Sequence, residues 1–73
     1  MDNATKNLLL EQYTEIMSDA DDLESHGFPR KASELKLKAE GMEIALEILG
    51  FAIKETWNDR LNGFEYSLEE IQI

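Results

Sequence analysis

Two sets of carboxylates stand at helical spacing in this chain of 73 residues. Glu11, Glu15, Asp19 and Asp22 follow one another at steps of four, four and three, and Glu40, Glu43 and Glu47 at steps of three and four. Such steps put side chains on one helix face, about 6 Å apart from turn to turn. Rows of this kind have two chemical uses. Where carboxylates converge from facing helices, their oxygens hold a hard cation such as Mg²⁺. Where they stay on an outer face, they form a line of negative charge that attracts a basic surface. Both rows lie away from the apolar positions of their segments, so they are expected to face water and to serve the second use.

Other chemistry finds little to work with. There is no Cys, which removes thiol nucleophiles, disulfides and thiolate metal sites. The single histidine, His26, sits beside Ser25 and Gly27 in a turn and reads as a solvated cap residue. There is no glycine-rich phosphate loop. A net charge of -9, from 16 Asp and Glu against 7 Lys and Arg, repels nucleic acid at long range. The basic group Arg30, Lys31, Lys36 and Lys38 is short, and acidic residues of the first segment are expected to neutralise it. No catalytic residue, cofactor or metal is assigned, and an enzyme is not expected. The alternative enzymatic reading is a resemblance in kind to small all-α nucleotide pyrophosphohydrolases, which hold Mg²⁺ with clustered Glu and Asp on the helices of a bundle.

The elements that must position these rows are legible from apolar period and punctuation. Gly27-Phe28-Pro29 and Asn62-Gly63 divide the chain. In the first segment, from about Asn3 to His26, Leu9, Tyr13, Ile16, Ala20 and Leu23 form a seam at steps of four and three. Asp2 or Asn3 suits its N-cap and Gly27 its C-terminal cap. Pro29 suits the first turn of the next helix. In the second segment, from about Pro29 to Leu61, Leu35, Ala39, Met42, Leu46, Leu49 and Ile53 repeat the seam, with Trp57 one turn further. Gly41 and Gly50 each cost roughly 1 kcal/mol inside a helix, and a break near Gly50 would leave two shorter helices.

The short connection predicts antiparallel neighbours. The cluster Asp19, Asp21, Asp22 and Glu24 then lies opposite Arg30, Lys31, Lys36 and Lys38, each offsetting the other's unfavourable helix dipole. The tail from Phe64 to Ile73 carries two signals. Ser67-Leu68-Glu69-Glu70 matches a capping box, while Phe64, Tyr66 and Leu68 alternate as a strand does. A short helix or an extended arm is the favoured reading. The expected fold is therefore all-α: one domain over residues 1–73, an antiparallel helical hairpin with a short C-terminal element.

A chain this short draws only roughly 3–5 kcal/mol from one core, so excellent packing or self-association is needed. Leu37, Gly41, Ile44, Ile48 and Phe51 fall on the face of the second helix opposite its seam. From Met42 to Ile53 that helix would be apolar almost all round and must be buried almost all round. A homodimer on this face, giving a four-helix bundle, is the expected solution. The longest uncharged run in the apolar centre, Ile48 to Ile53, has six residues, against about 20 for a membrane span. Met1 to Lys6 lacks the basic start and apolar stretch of a signal peptide, and Asn3-Ala4-Thr5, though a glycosylation pattern, reads as helix-start chemistry. A cytoplasmic protein is expected.

Taken together, these features predict a binding module rather than a catalyst. Its partner would be another protein, engaged through Glu11, Glu15, Asp19, Asp22, Glu40, Glu43 and Glu47. A carboxylate array can imitate a nucleic-acid backbone and occupy a basic groove. In general type the chain resembles small acidic phage-encoded inhibitors of restriction, CRISPR and host transcription machinery, which implies a nucleic-acid-handling target. The plainer alternative is a structural or adaptor protein that uses apolar helix surface, with acidic residues only solubilising the outer face.

Overall fold

The computed structural model describes residues 2–71 and shows two helices followed by a β-hairpin: α1 (Asn3–Ser25), α2 (Pro29–Ile48), β1 (Phe51–Asn58) and β2 (Gly63–Glu70). Helix α1 starts where Asp2 caps it, its side chain accepting from the Thr5 amide at 2.7 Å. That bond holds the Asp2 carboxyl below its ordinary range. The helix ends in a Schellman turn. Gly27 takes φ +86°, the Phe28 amide donates to the Leu23 carbonyl at 2.8 Å, and the Gly27 amide donates to Glu24 at 3.2 Å. Pro29 then opens α2 at its first position, where its missing N–H costs nothing.

The two helices run antiparallel, with Glu24 beside Lys36 and Tyr13 beside Glu43. Buried positions on α1 are Tyr13 and Ala20, with Leu9, Ile16 and Leu23 half-buried, which is the expected seam. On α2 the buried stripe is Ala32, Ala39 and Leu46, flanked by half-buried Leu35 and Met42. Of the five buried residues among those described, three are alanines, so the helix faces meet through small side chains. Among the described residues one ion pair joins the two helices, Lys36 Nζ to Glu24 Oε2 at 2.9 Å. Its hydrogen bond, and then the Glu24 charge, raise the Lys36 ammonium above its ordinary value. Both partners are well exposed, so the bond sets register more than it stabilises.

The expected all-α fold is overturned beyond Ile48, and the protein is mixed α/β. The second helix does not run on to Leu61. Gly50 adopts φ +91°, a left-handed conformation that ends the helix, and its amide donates to the Glu47 carbonyl at 3.0 Å. Phe51, Ile53 and Trp57 therefore belong to β1, and Leu49 lies exposed past the end of α2. The capping-box reading of Ser67–Glu70 also gives way, because these residues pair in β2. A four-helix bundle of two all-helical hairpins goes with it. Gln72 and Ile73, the end of the expected tail element, lie outside the described residues.

The strands pair antiparallel in register from Phe51 opposite Glu70 to Asn58 opposite Gly63. The Ile71 amide closes the base of the hairpin by donating to the Gly50 carbonyl at 2.9 Å. At the tip the chain turns over residues 59–62. The Asn62 amide donates to the Asp59 carbonyl at 3.3 Å and Asn62 takes φ +51°, a conformation asparagine tolerates. The Arg60 amide donates to Asn58 Oδ1 at 2.9 Å.

Alternation gives the sheet two faces. Phe51, Ile53, Trp57, Phe64, Tyr66 and Leu68 share one. Lys54, Thr56, Asn58, Glu65, Ser67 and Glu69 share the other, where Lys54 pairs with Glu69 at 3.3 Å and Asn58 donates to Glu65 at 2.7 Å. The apolar face packs on the helices, β1 against α2 and β2 against α1. Tyr66 meets Tyr13 edge-on, with ring centroids 4.9 Å apart, and the Lys6 ammonium lies 4.9 Å from the Phe51 ring. The hairpin takes Phe51 out of the face expected to meet a second copy but leaves Leu37, Ile44 and Ile48 of that face exposed.

Candidate protein-binding surfaces

Glu11, Glu15, Asp19 and Asp22 are all exposed on α1. None of the four is in an ion pair among the described residues. Glu11, Glu15 and Asp19 border one shallow surface together with Thr14 and Ser18. The structure therefore brings the first row together as an open line of charge.

The second row is divided. Glu40 and Glu47 are exposed, but Glu43 is half-buried and accepts a 2.6 Å hydrogen bond from the Tyr13 hydroxyl. Burial first, then the bond to Glu43, pushes the Tyr13 phenol up from its ordinary value. Tyr66 is pushed the same way, by burial and then by the charges of Glu55, Asp21 and Glu43. Glu43 is thus tied to Tyr13 through one carboxylate oxygen and is less open to solvent than Glu40 and Glu47. With Tyr13, Lys36, Glu40 and Glu55 it lines a small cavity of about 260 Å³. Among the described residues no three acidic or histidine side chains converge as a cation's ligands would. His26 caps the C-terminus of α1, its ring nitrogen 2.6 Å from the Asp22 carbonyl.

The proposed association face survives in part. Leu37, Ile44 and Ile48 are 64, 59 and 81% exposed on α2, and Gly41 between them has open space where a side chain would stand. Phe51 is removed from this face by the strand and is half-buried against Lys6.

A further feature escapes helical periodicity. Near its tip the hairpin stands off α1 and leaves a cleft of about 390 Å³. Trp57, Phe64 and Tyr66 wall it on the hairpin side, and Met17, Ser18 and Asp21 on the α1 side. The alternation Phe51, Ile53, Trp57 ahead of Asn62-Gly63, mirrored by Phe64, Tyr66, Leu68, is the sequence signal that points to it.

No helix among the described residues is long and apolar enough to cross a membrane. No protein-family model matches the chain, and comparisons with curated proteins and with solved structures likewise find no match.

Proposed function

We propose that this chain is a small acidic protein-binding module that acts by occupation rather than by catalysis. It seats the α1 row Glu11, Glu15, Asp19 and Asp22 in the basic groove of a nucleic-acid-handling protein, and so keeps nucleic acid out. The supporting observation is that the row is exposed along its whole length and free of ion pairs among the described residues. Carboxylates that serve the fold have partners of their own: Glu24 and Glu69 are in ion pairs, and Asp2, Glu43 and Asp59 accept hydrogen bonds. A net charge of -9 adds long-range attraction toward a cationic partner. Such a partner places the module in the cytoplasm. Glu40 and Glu47 border the same role, whereas Glu43 is tied to Tyr13.

The test is capture of a partner from the native host's lysate, followed by affinity measurement against salt. Binding should weaken at least about tenfold between roughly 50 and 300 mM salt, as exposed charge pairs are screened. Glu15→Lys with Asp19→Lys should cost at least a further tenfold, roughly 1.4 kcal/mol. An affinity indifferent to both changes would sink the electrostatic reading.

One observation favours a second reading, self-association through α2. Leu37, Gly41, Ile44 and Ile48 repeat at steps of four, three and four, and the fold leaves them bare. An antiparallel pairing sets Leu37 against the partner's Ile48 and Gly41 against the partner's Ile44. It also places Lys38 beside the partner's Glu47, so that the basic start of α2 meets an acidic end. Light scattering at micromolar concentration should give twice the 8.4 kDa chain mass, and Ile44→Asp should restore 8.4 kDa. A native chain running at 8.4 kDa rejects this reading and leaves the acidic row untouched.

A further inference from the structure

We infer that the cleft between α1 and the hairpin tip is a receptor for an arginine side chain of the basic partner. This rests on the proposed function and adds a specific anchor to its charge attraction. Three aromatic rings wall the cleft, and one carboxylate, Asp21, stands on the opposite side. Trp57 and Phe64 lie edge to face, their centroids 5.1 Å apart, yet they remain 51 and 52% exposed. Rings on the inner face of a hairpin would ordinarily be covered, as Tyr66 is by Tyr13. The indole is already fixed, because its Nε1–H donates to Asp59 Oδ1 at 2.6 Å. What remains for a ligand is therefore ring face and edge rather than a donor.

Asp21 is exposed and has no ion-pair partner among the described residues. Its charge reaches the Tyr66 phenol, after burial and Glu55 in order of effect, which places carboxylate and aromatic wall in one locality. Aromatic faces with a carboxylate opposite are the environment a guanidinium seeks: it stacks on a ring and forks to the carboxylate at once. An ammonium has no plane to stack, and an uncharged group wastes the carboxylate. Thr14 and Ser18 border both this cleft and the surface beneath Glu11, Glu15 and Asp19. One basic partner can therefore lie along the row while one of its arginines enters the cleft.

Trp57 is the only tryptophan and reports directly on the site. The experiment titrates the full chain with N-acetyl-arginine methylamide and follows indole fluorescence and the indole N–H resonance. Saturable binding is expected, with a dissociation constant on the order of 1 mM for so small a probe. The citrulline analogue, isosteric but neutral, should bind at least about tenfold more weakly, and the lysine analogue should fall between. Asp21→Asn should weaken the arginine probe about fivefold, with an unchanged far-ultraviolet spectrum showing that the fold is intact. Absence of saturation, or equal binding of arginine and citrulline, overturns the inference. Because the probe carries no groove of its own, its failure beside salt-sensitive capture of a partner rejects the cleft alone. Probe binding without any such partner rejects the function reading instead.

Discussion

Leu46→Ala is expected to remove about 2–5 kcal/mol of stability, and with it the cooperative unfolding transition. Among the described residues five are buried, and Leu46 is the only large aliphatic side chain of the five; the others are Tyr13 and three alanines. It lies in the last full turns of α2, the helix on which β1 packs. Truncation there removes both the transferred surface and the atoms that would fill the gap. Alanines already at close approach leave little scope for collapse, so the upper part of that range applies. A single small core supplies roughly 3–5 kcal/mol in all, so the variant should unfold with a broad, low-temperature transition. Leu49→Ala is the matched control. Periodicity alone puts Leu46 and Leu49 on one seam, but Leu49 is 63% exposed beyond the helix end. Its truncation should change stability by less than about 0.5 kcal/mol. Urea melts of the pair decide the matter, and equal losses would mean that the helix continues and that Leu49 shares the core with Leu46.

That contrast also marks how far the sequence could be read. The first half was legible because its signals agree. In α1 the cap at Asp2, the four-three seam and the glycine at 27 all specify one helix with one buried face. Pro29 specifies the next start. Past Ile48 the signals compete. Leu49, Ile53 and Trp57 keep helical spacing with Leu46, while Phe51, Ile53 and Trp57 also keep strand parity. A short apolar stretch cannot be assigned by period alone. What decides is the pair of breakers at its ends: Gly50 separates α2 from β1, and Asn62-Gly63 closes the hairpin turn and opens β2. The exposed charge row on α1 followed directly from spacing. The fate of Glu43 did not, since nothing local tells that Tyr13, thirty residues away in sequence, reaches it. The aromatic cleft was hidden for the same reason, because its wall exists only once Trp57 and Phe64 are cross-strand partners.

Gly50 is the residue on which the change from helix to strand turns, and its substitution should show this by sign. In α2 the interior Gly41 has open space for a side chain, so Gly41→Ala should stabilise the monomer by about 0.5–1 kcal/mol through helix propensity. Gly50 has equally open surroundings, but its φ of +91° is a conformation that side chains resist. Gly50→Ala should therefore destabilise by about 1–2 kcal/mol, and a β-branched residue by more. The opposite signs cannot arise from crowding, since neither site has a neighbour within 4 Å of the added carbon. They follow only if Gly41 lies inside a helix and Gly50 just past the end of one. Were Phe51–Asn58 a continuation of α2, both substitutions would stabilise and the helical far-ultraviolet signal would rise in each. Denaturant melts of the two single variants, made well below the concentration at which chains associate, measure those signs directly. A Gly50→Ala chain more stable than the native one would remove the hairpin, and with it the paired strands that hold Trp57 and Phe64 beside α1.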